Sequence, residues 1–140
     1  MLNRHGPPRS RIEFLGTVPL FEGLSERVLA RIDSHLDDVQ VPAGKVLTRQ
    51  GSGADEAFIV ADGEADVSVA GDVVATSGVG EMIGEIGVLR HTPRSATVTA
   101  RTPMRLLVIN PRDLQWLFDD KTLAARVQDN LARHTASPPG

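Results

Sequence analysis

The chain predicts a mainly β fold with flanking helices: an antiparallel sandwich or barrel preceded by one helix and followed by two. Three observations carry this. From Val39 to Ile109 the sequence is a series of short β-rich runs, "DVQVPAG", "KVLTRQG", "AFIVADG", "EADVSVAG", "DVVATSG", "ATVTA" and "MRLLVIN", with Gly or Asp breaking them. Six or more strands this closely spaced point to a sandwich or barrel rather than βαβ units. On both sides of the block the apolar residues recur at helical spacing. At 140 residues the chain has the size of one domain with one modest core.

Taken in order, residues 1–11 are expected to be a flexible N-terminus, since "MLNRHGPPRSR" is rich in Pro, Gly and Arg and lacks periodicity. Residues 12–135 form the folded unit. Phe14, Leu15, Leu20 and Phe21 suit a short helical turn docked on the core. In "GLSERVLARIDSHL" the residues Leu24, Val28, Leu29, Ile32 and Leu36 share a helical face, and Ser25 is a candidate N-cap. A helix over 26–36 follows. Gly44, Gly51, Gly63, Gly71 and Gly78 each fall where a strand should turn. After Asn110, Pro111 suits a first helical turn and Leu114, Leu117 and Phe118 lie on one face. Leu123, Val127 and Leu131 then mark a last helix over 122–135, and 136–140 ("ASPPG") is expected to be a flexible tail.

Composition excludes several functions. Apolar residues make up 41% and charged residues 24%, ordinary for a globular domain. The net charge of −3 offers no field for DNA, RNA or an anionic membrane, so direct nucleic-acid binding is not expected, while a local anion pocket stays open. There is no cysteine, hence no disulfide, thiolate metal site or cysteine nucleophile. The N-terminus lacks the apolar run of a signal peptide, and no apolar stretch nears the roughly 20 residues that span a bilayer. A cytoplasmic protein without membrane insertion is the expectation.

The four histidines, His5, His35, His91 and His134, are scattered without metal-ligand spacing. No metal and no cofactor are expected. Nothing resembles a Walker loop or a GxGxxG after a strand, and no spaced nucleophilic triad occurs, so the chain does not read as an enzyme. Trp116 at helical spacing from neighbouring apolar residues reads as core. Arg101, Arg105, Arg112 and Arg126 read as ordinary solvated positions.

The stretch "GEIGVLRHTPRSATV", residues 84–98, carries the chemistry. Glu85 is an acceptor-only carboxylate and Arg94 a fork of donors suited to phosphate oxygens. "GEIGVL" can form a short helical turn whose first N–H groups favour an anion, Gly84 and Gly87 permit close approach of a ligand, and Arg94 opens the strand that follows. A ligand bearing one phosphate and a neighbouring sugar hydroxyl would satisfy both charges.

At these residues the chain resembles the cyclic nucleotide-binding domain family of protein kinase A regulatory subunits, cyclic-nucleotide-gated channels and CRP/FNR transcription factors. The resemblance covers about residues 14–135. It is most specific at the phosphate-binding cassette, Gly84-Glu85-Ile86-Gly87-Val88-Leu89 followed by Arg94-Ser95-Ala96-Thr97-Val98. A second match is "RQGSGADEAFIVADGEADV", which is similar to the family's glycine-hairpin-glycine stretch with Gly51 and Gly63 in place. Ala54 departs from it, standing where the family usually has glycine before the aspartate matched by Asp55.

The resemblance implies a jelly-roll-like β-barrel, a double-stranded β-helix, and a regulatory sensor of cAMP, with cGMP as second choice. Ligand-binding positions would be Ile83, Gly84, Glu85, Ile86, Gly87, Arg94, Ser95 and Ala96. Arg94 would take the equatorial phosphate oxygen and Glu85 the ribose 2′-OH. Main-chain N–H groups near Gly84, Gly87 and Ser95 would complete the cradle. Ser95 rather than threonine points to cAMP. Leu131, Arg133 and His134 of the last helix would cover the base, and movement of that helix would carry the signal. The alternative is a CRP/FNR-like roll that has lost cAMP binding and senses another small molecule or serves dimerisation. Only "ASPPG" follows the last expected helix, so a complete CRP-type regulator is not expected. The partner would be an effector protein or a fused effector domain, with a homodimer as a further arrangement.

Overall fold

The structure is a computed structural model and describes residues 8–53, 56–84 and 93–119. Among the described residues there are eight strands: β1 (Asp37–Val41), β2 (Val46–Thr48), β3 (Ala57–Asp62), β4 (Ala65–Val69), β5 (Asp72–Ser77), β6 (Met82–Ile83), β7 (Thr97–Ala100) and β8 (Met104–Ile109). They form two four-stranded antiparallel sheets ordered β1-β8-β3-β6 and β2-β7-β4-β5. The expected β-roll with few helices is the fold observed.

The first sheet has a core on each face, which explains why "AFIV" and "LLVI" are unbroken apolar runs rather than alternating ones. Ala57, Ile59, Leu107 and Ile109 face the N-terminal helical segments. Phe58, Val60, Leu106 and Val108 face the second sheet. That sheet buries one face only, so β4 alternates between buried Ala65 and Val67 and half-exposed Asp66 and Ser68. Gly63, in the turn from β3 to β4, has φ +92°, and a side chain there would press on Met104, Thr102 and the Pro103 carbonyl.

The N-terminal segment is more helical than expected. Helix α1 (Pro8–Leu15) takes in residues 8–11 of the stretch read as flexible. A proline in the first turn has no N–H to lose, and Ile12 and Leu15 pack on the core beside α2. After a 3₁₀ turn at Pro19–Phe21, which buries Leu20 and Phe21, α2 (Glu26–Asp33) starts at Ser25, whose Oγ accepts from the Val28 N–H at 3.2 Å. It ends at Asp33, not at residue 36. The Ser34 hydroxyl donates to the Arg31 carbonyl (2.7 Å), and the chain turns so that buried Leu36 leads into β1. Helix α3 (Pro111–Asp119) is capped by Asn110, whose Oδ1 accepts from the Asp113 N–H at 2.9 Å. The helix expected over 122–135, the side chains of Leu114, Leu117 and Phe118, and the 1–7 and 136–140 ends lie outside what is described.

Trp116 packs against the first core, as expected, and it also joins α2 to α3. The Arg31 guanidinium lies 5.0 Å from its ring centroid and the His35 ring 5.1 Å away. His35 Nδ1 is 3.2 Å from Asp113 Oδ1.

Arg101 and Arg105 are exposed but paired, a correction to their reading as ordinary solvated positions. Arg101 holds Asp66 and Glu64 and donates to the Thr76 hydroxyl. Arg105 donates to Asp38 through Nε (2.9 Å) and Nη2, and Arg11 reaches both Asp33 and Asp38. The Arg105 hydrogen bond, with the charges of Arg105 and Arg11 behind it, holds the Asp38 carboxyl below the usual carboxylate range against a smaller opposing effect of burial. The stabilisation from Asp38 is therefore complete above the unfolded value of about 4 and is lost as pH falls through the lower folded value. For this largely solvated pair, Asp38→Asn is expected to cost about 0.5–1 kcal/mol at pH 7. Urea unfolding of parent and variant should differ at pH 7, and the difference should shrink progressively as pH falls below about 4.

Candidate functional site

The chain around Arg94 is not yet strand: β7 begins at Thr97, three residues later than the sequence suggested. Arg94 is instead fixed by its main chain, whose N–H donates to the Ser52 carbonyl and whose carbonyl accepts from the Gly51 N–H, both at 2.8 Å. The residue as a whole is 5% exposed. Nη1 donates to the Gly84 carbonyl at 2.9 Å and Nη2 to the Glu56 carbonyl at 2.5 Å. Main chain and side chain of this one residue thus tie together the loop at 51–52, the start of β3 and the end of β6. A buried cation is costly unless it is well hydrogen-bonded, and the two carbonyls supply such bonds.

Gly84 makes this geometry attainable. Ile83 closes β6 by pairing with Phe58, and Gly84 then turns with φ +87°. A Cβ there would overlap Arg94 Nη1 and stand 3.2 Å from the Glu56 carbonyl oxygen. The glycine that the sequence marked for close approach of a ligand is, in the first instance, the one that admits the arginine.

A cavity of about 230 Å³ opens beside Arg94. Its wall is apolar at Val46, Leu47 and Phe58, and polar at Thr48, Arg49, Ser52, Glu56 and Arg94. A few polar groups converging on a partly apolar concavity suit a small ligand with one charged end. Thr48, 4% exposed, donates its hydroxyl to the Ala96 carbonyl at 3.1 Å and so holds the cassette strand against β2.

Of the residues read as ligand-binding, the structure brings Gly84 and Arg94 into contact. Ser95 is exposed next to them. Ile83 and Ala96, each 1% exposed, pack in the second core, so what they can offer a ligand is main chain. Glu85, Ile86, Gly87 and the expected turn over 84–89 beyond Gly84 lie outside the described residues, as do Asp55 and the base-covering candidates Leu131, Arg133 and His134. Sequence reading missed the roles of Ser52 and Glu56. Both act through carbonyl oxygens, which every residue has; the only signal was the glycine-bounded stretch from Gly51 to Gly63 in which they stand.

Residues 38–121 match the sequence profile of the cyclic nucleotide-binding domain. The chain is 39% identical over 115 residues to a cyclic nucleotide-gated potassium channel of Mesorhizobium japonicum, covering 82% of this chain and 32% of the channel. It is 30% identical over 118 residues to a cAMP-dependent protein kinase regulatory subunit of Eremothecium gossypii, covering 84% of this chain and 26% of that subunit. Among solved structures, the N-terminal domain of a transcriptional regulator from Streptomyces coelicolor A3(2) superposes with a TM-score of 0.76 at 28% identity, covering 88% of this chain and 92% of that one. The chain thus spans about a third of the channel's length and about a quarter of the kinase subunit's. Profile, relatives and fold agree with the locked arginine beside its cavity, and the chain belongs to the cyclic nucleotide-binding domain family, of the regulatory type.

Proposed function

We propose that this domain is a non-enzymatic sensor that binds a cyclic nucleotide, cAMP in the first place and cGMP in the second. The observation that carries this is Arg94, a buried cation on the cavity wall whose fork is already oriented by the Gly84 and Glu56 carbonyls. A donor fixed before the ligand arrives spends little free energy on ordering when it binds phosphate. In this reading Arg94 takes an equatorial phosphate oxygen, Glu85 accepts from the ribose 2′-OH, and main-chain N–H groups near Gly84, Gly87 and Ser95 complete the cradle. The relatives named for cyclic-nucleotide gating and cAMP dependence support this class of ligand.

Signalling follows from differential affinity. The ligand binds more tightly when the cassette is ordered and the segment 122–135 closes over the base through Leu131, Arg133 or His134, and that difference shifts an attached or separate effector between states. The matched relatives are much longer than this chain, which supports an effector beyond the domain. Among the described residues no helix is long and apolar enough to cross a membrane, in keeping with a domain that works in the cytoplasm.

The test is isothermal titration of the purified chain with cAMP and cGMP, after mass spectrometry has established that it carries no nucleotide. Saturable binding at one site per chain supports the reading. No binding of either nucleotide to folded, empty protein overturns it and leaves the roll with another ligand or a role in dimerisation. Ser95→Thr keeps the hydroxyl and adds a methyl group that restricts its rotamers at an exposed position of the cassette, and it is expected to raise affinity for cGMP relative to cAMP by roughly 3–10-fold. Unchanged selectivity would remove Ser95 from the choice of base.

A further inference from the structure

We propose that Arg49 and Glu56 are opposed steering charges on the cavity wall, Arg49 speeding and Glu56 slowing the capture of an anionic ligand. The inference rests on the cyclic-nucleotide reading of the site. Apart from Arg94, they are the only charged residues among the described residues of that wall. Both are exposed. Neither side chain has an oppositely charged group within 4 Å among the described residues, whereas Arg11, Arg101 and Arg105 are each engaged by carboxylates. Arg49 directly follows β2, and it lines the cavity together with Leu47 and Thr48 of that strand. On the other side of Arg49 the chain turns outward, where the Gln50 side chain accepts from the Ala70 N–H at 2.8 Å.

The physical need is clear. A phosphate approaches a chain of net charge −3, and the cation that would hold it, Arg94, is only 5% exposed. Within a Debye length of about 8–10 Å, a guanidinium on the cavity wall attracts the anion before Arg94 can, and a carboxylate on the same wall repels it. Charges at a rim act mainly on the association rate. Glu56 has two roles that separate cleanly: its carbonyl holds Arg94, which any residue there would do, while its carboxylate serves only the field.

Stopped-flow association of a fluorescent cAMP analogue, with displacement by unlabelled cAMP and cGMP, tests this on the parent, Arg49→Gln and Glu56→Gln, each first shown to unfold thermally like the parent. Arg49→Gln is expected to slow association about 3–10-fold at low salt and Glu56→Gln to speed it about 2–5-fold. Both effects should fade at 0.5 M salt, with dissociation rates and the cAMP:cGMP ratio unchanged. Unaltered association in Arg49→Gln overturns the proposal. So does an effect of either variant confined to dissociation or to the cAMP:cGMP ratio, since that assigns the residue to direct contact with the bound ligand. If the parent itself takes up no nucleotide, the ligand reading falls and the steering role with it.

Discussion

Arg94→Ala is expected to weaken cyclic-nucleotide binding by 100-fold or more and to lower folding stability by about 2–4 kcal/mol. The binding loss is that of a charge-assisted contact from a buried guanidinium, worth roughly 1.5–3 kcal/mol or more. The stability loss comes from the Gly84 and Glu56 carbonyls, which lose their donors at 2.9 and 2.5 Å. An orphaned buried acceptor costs about 1–3 kcal/mol, less where water can enter from the cavity. Arg94→Lys separates the two effects, because an ammonium keeps the charge but cannot serve two carbonyls and a phosphate with one planar fork. Titration calorimetry and urea unfolding on both variants give the result. Parent-like binding in Arg94→Ala would show that the anion site lies elsewhere, and if that variant does not fold, the lysine variant carries the same test.

Gly84→Ala is expected to weaken binding at least 10-fold without touching any charge, and to cost about 2–3 kcal/mol of stability. Part of the cost is conformational, since φ +87° is a region that an L side chain enters at about 1–2 kcal/mol. The rest is displacement of the Arg94 guanidinium, which the new methyl would overlap. Gly71→Ala is the control. Its φ is +89° and nothing lies within 4 Å of the position a Cβ would take, so it should show the conformational cost alone and leave binding intact. Equal effects of the two substitutions would mean that the Gly84 methyl is accommodated and that Arg94 has room to move.

Much of this molecule was legible in its residues. The β block, the Ser25 cap, the Pro111 start of the next helix and the core role of Trp116 followed from periodicity and capping chemistry, which act over a few residues. Helix α1 was missed because a short segment rich in Pro and Arg has little tendency of its own. Its order comes from seating Leu15, fully buried, on a core whose other half is more than 90 residues away at Leu107 and Ile109. Arg101 and Arg105 read as solvated because their partners, Asp66 and Asp38, lie on other strands.

By itself the sequence determined the fold class, the family and the pairing of Arg94 with a glycine-rich cassette, since side-chain type and spacing carry that information. Tertiary structure alone decided how Arg94 is held. Its anchors are the main-chain carbonyls of Gly84 and Glu56 and the main chain of Gly51 and Ser52. Peptide groups are the same at every position, so only the path of the chain in space determines which of them meet a buried guanidinium.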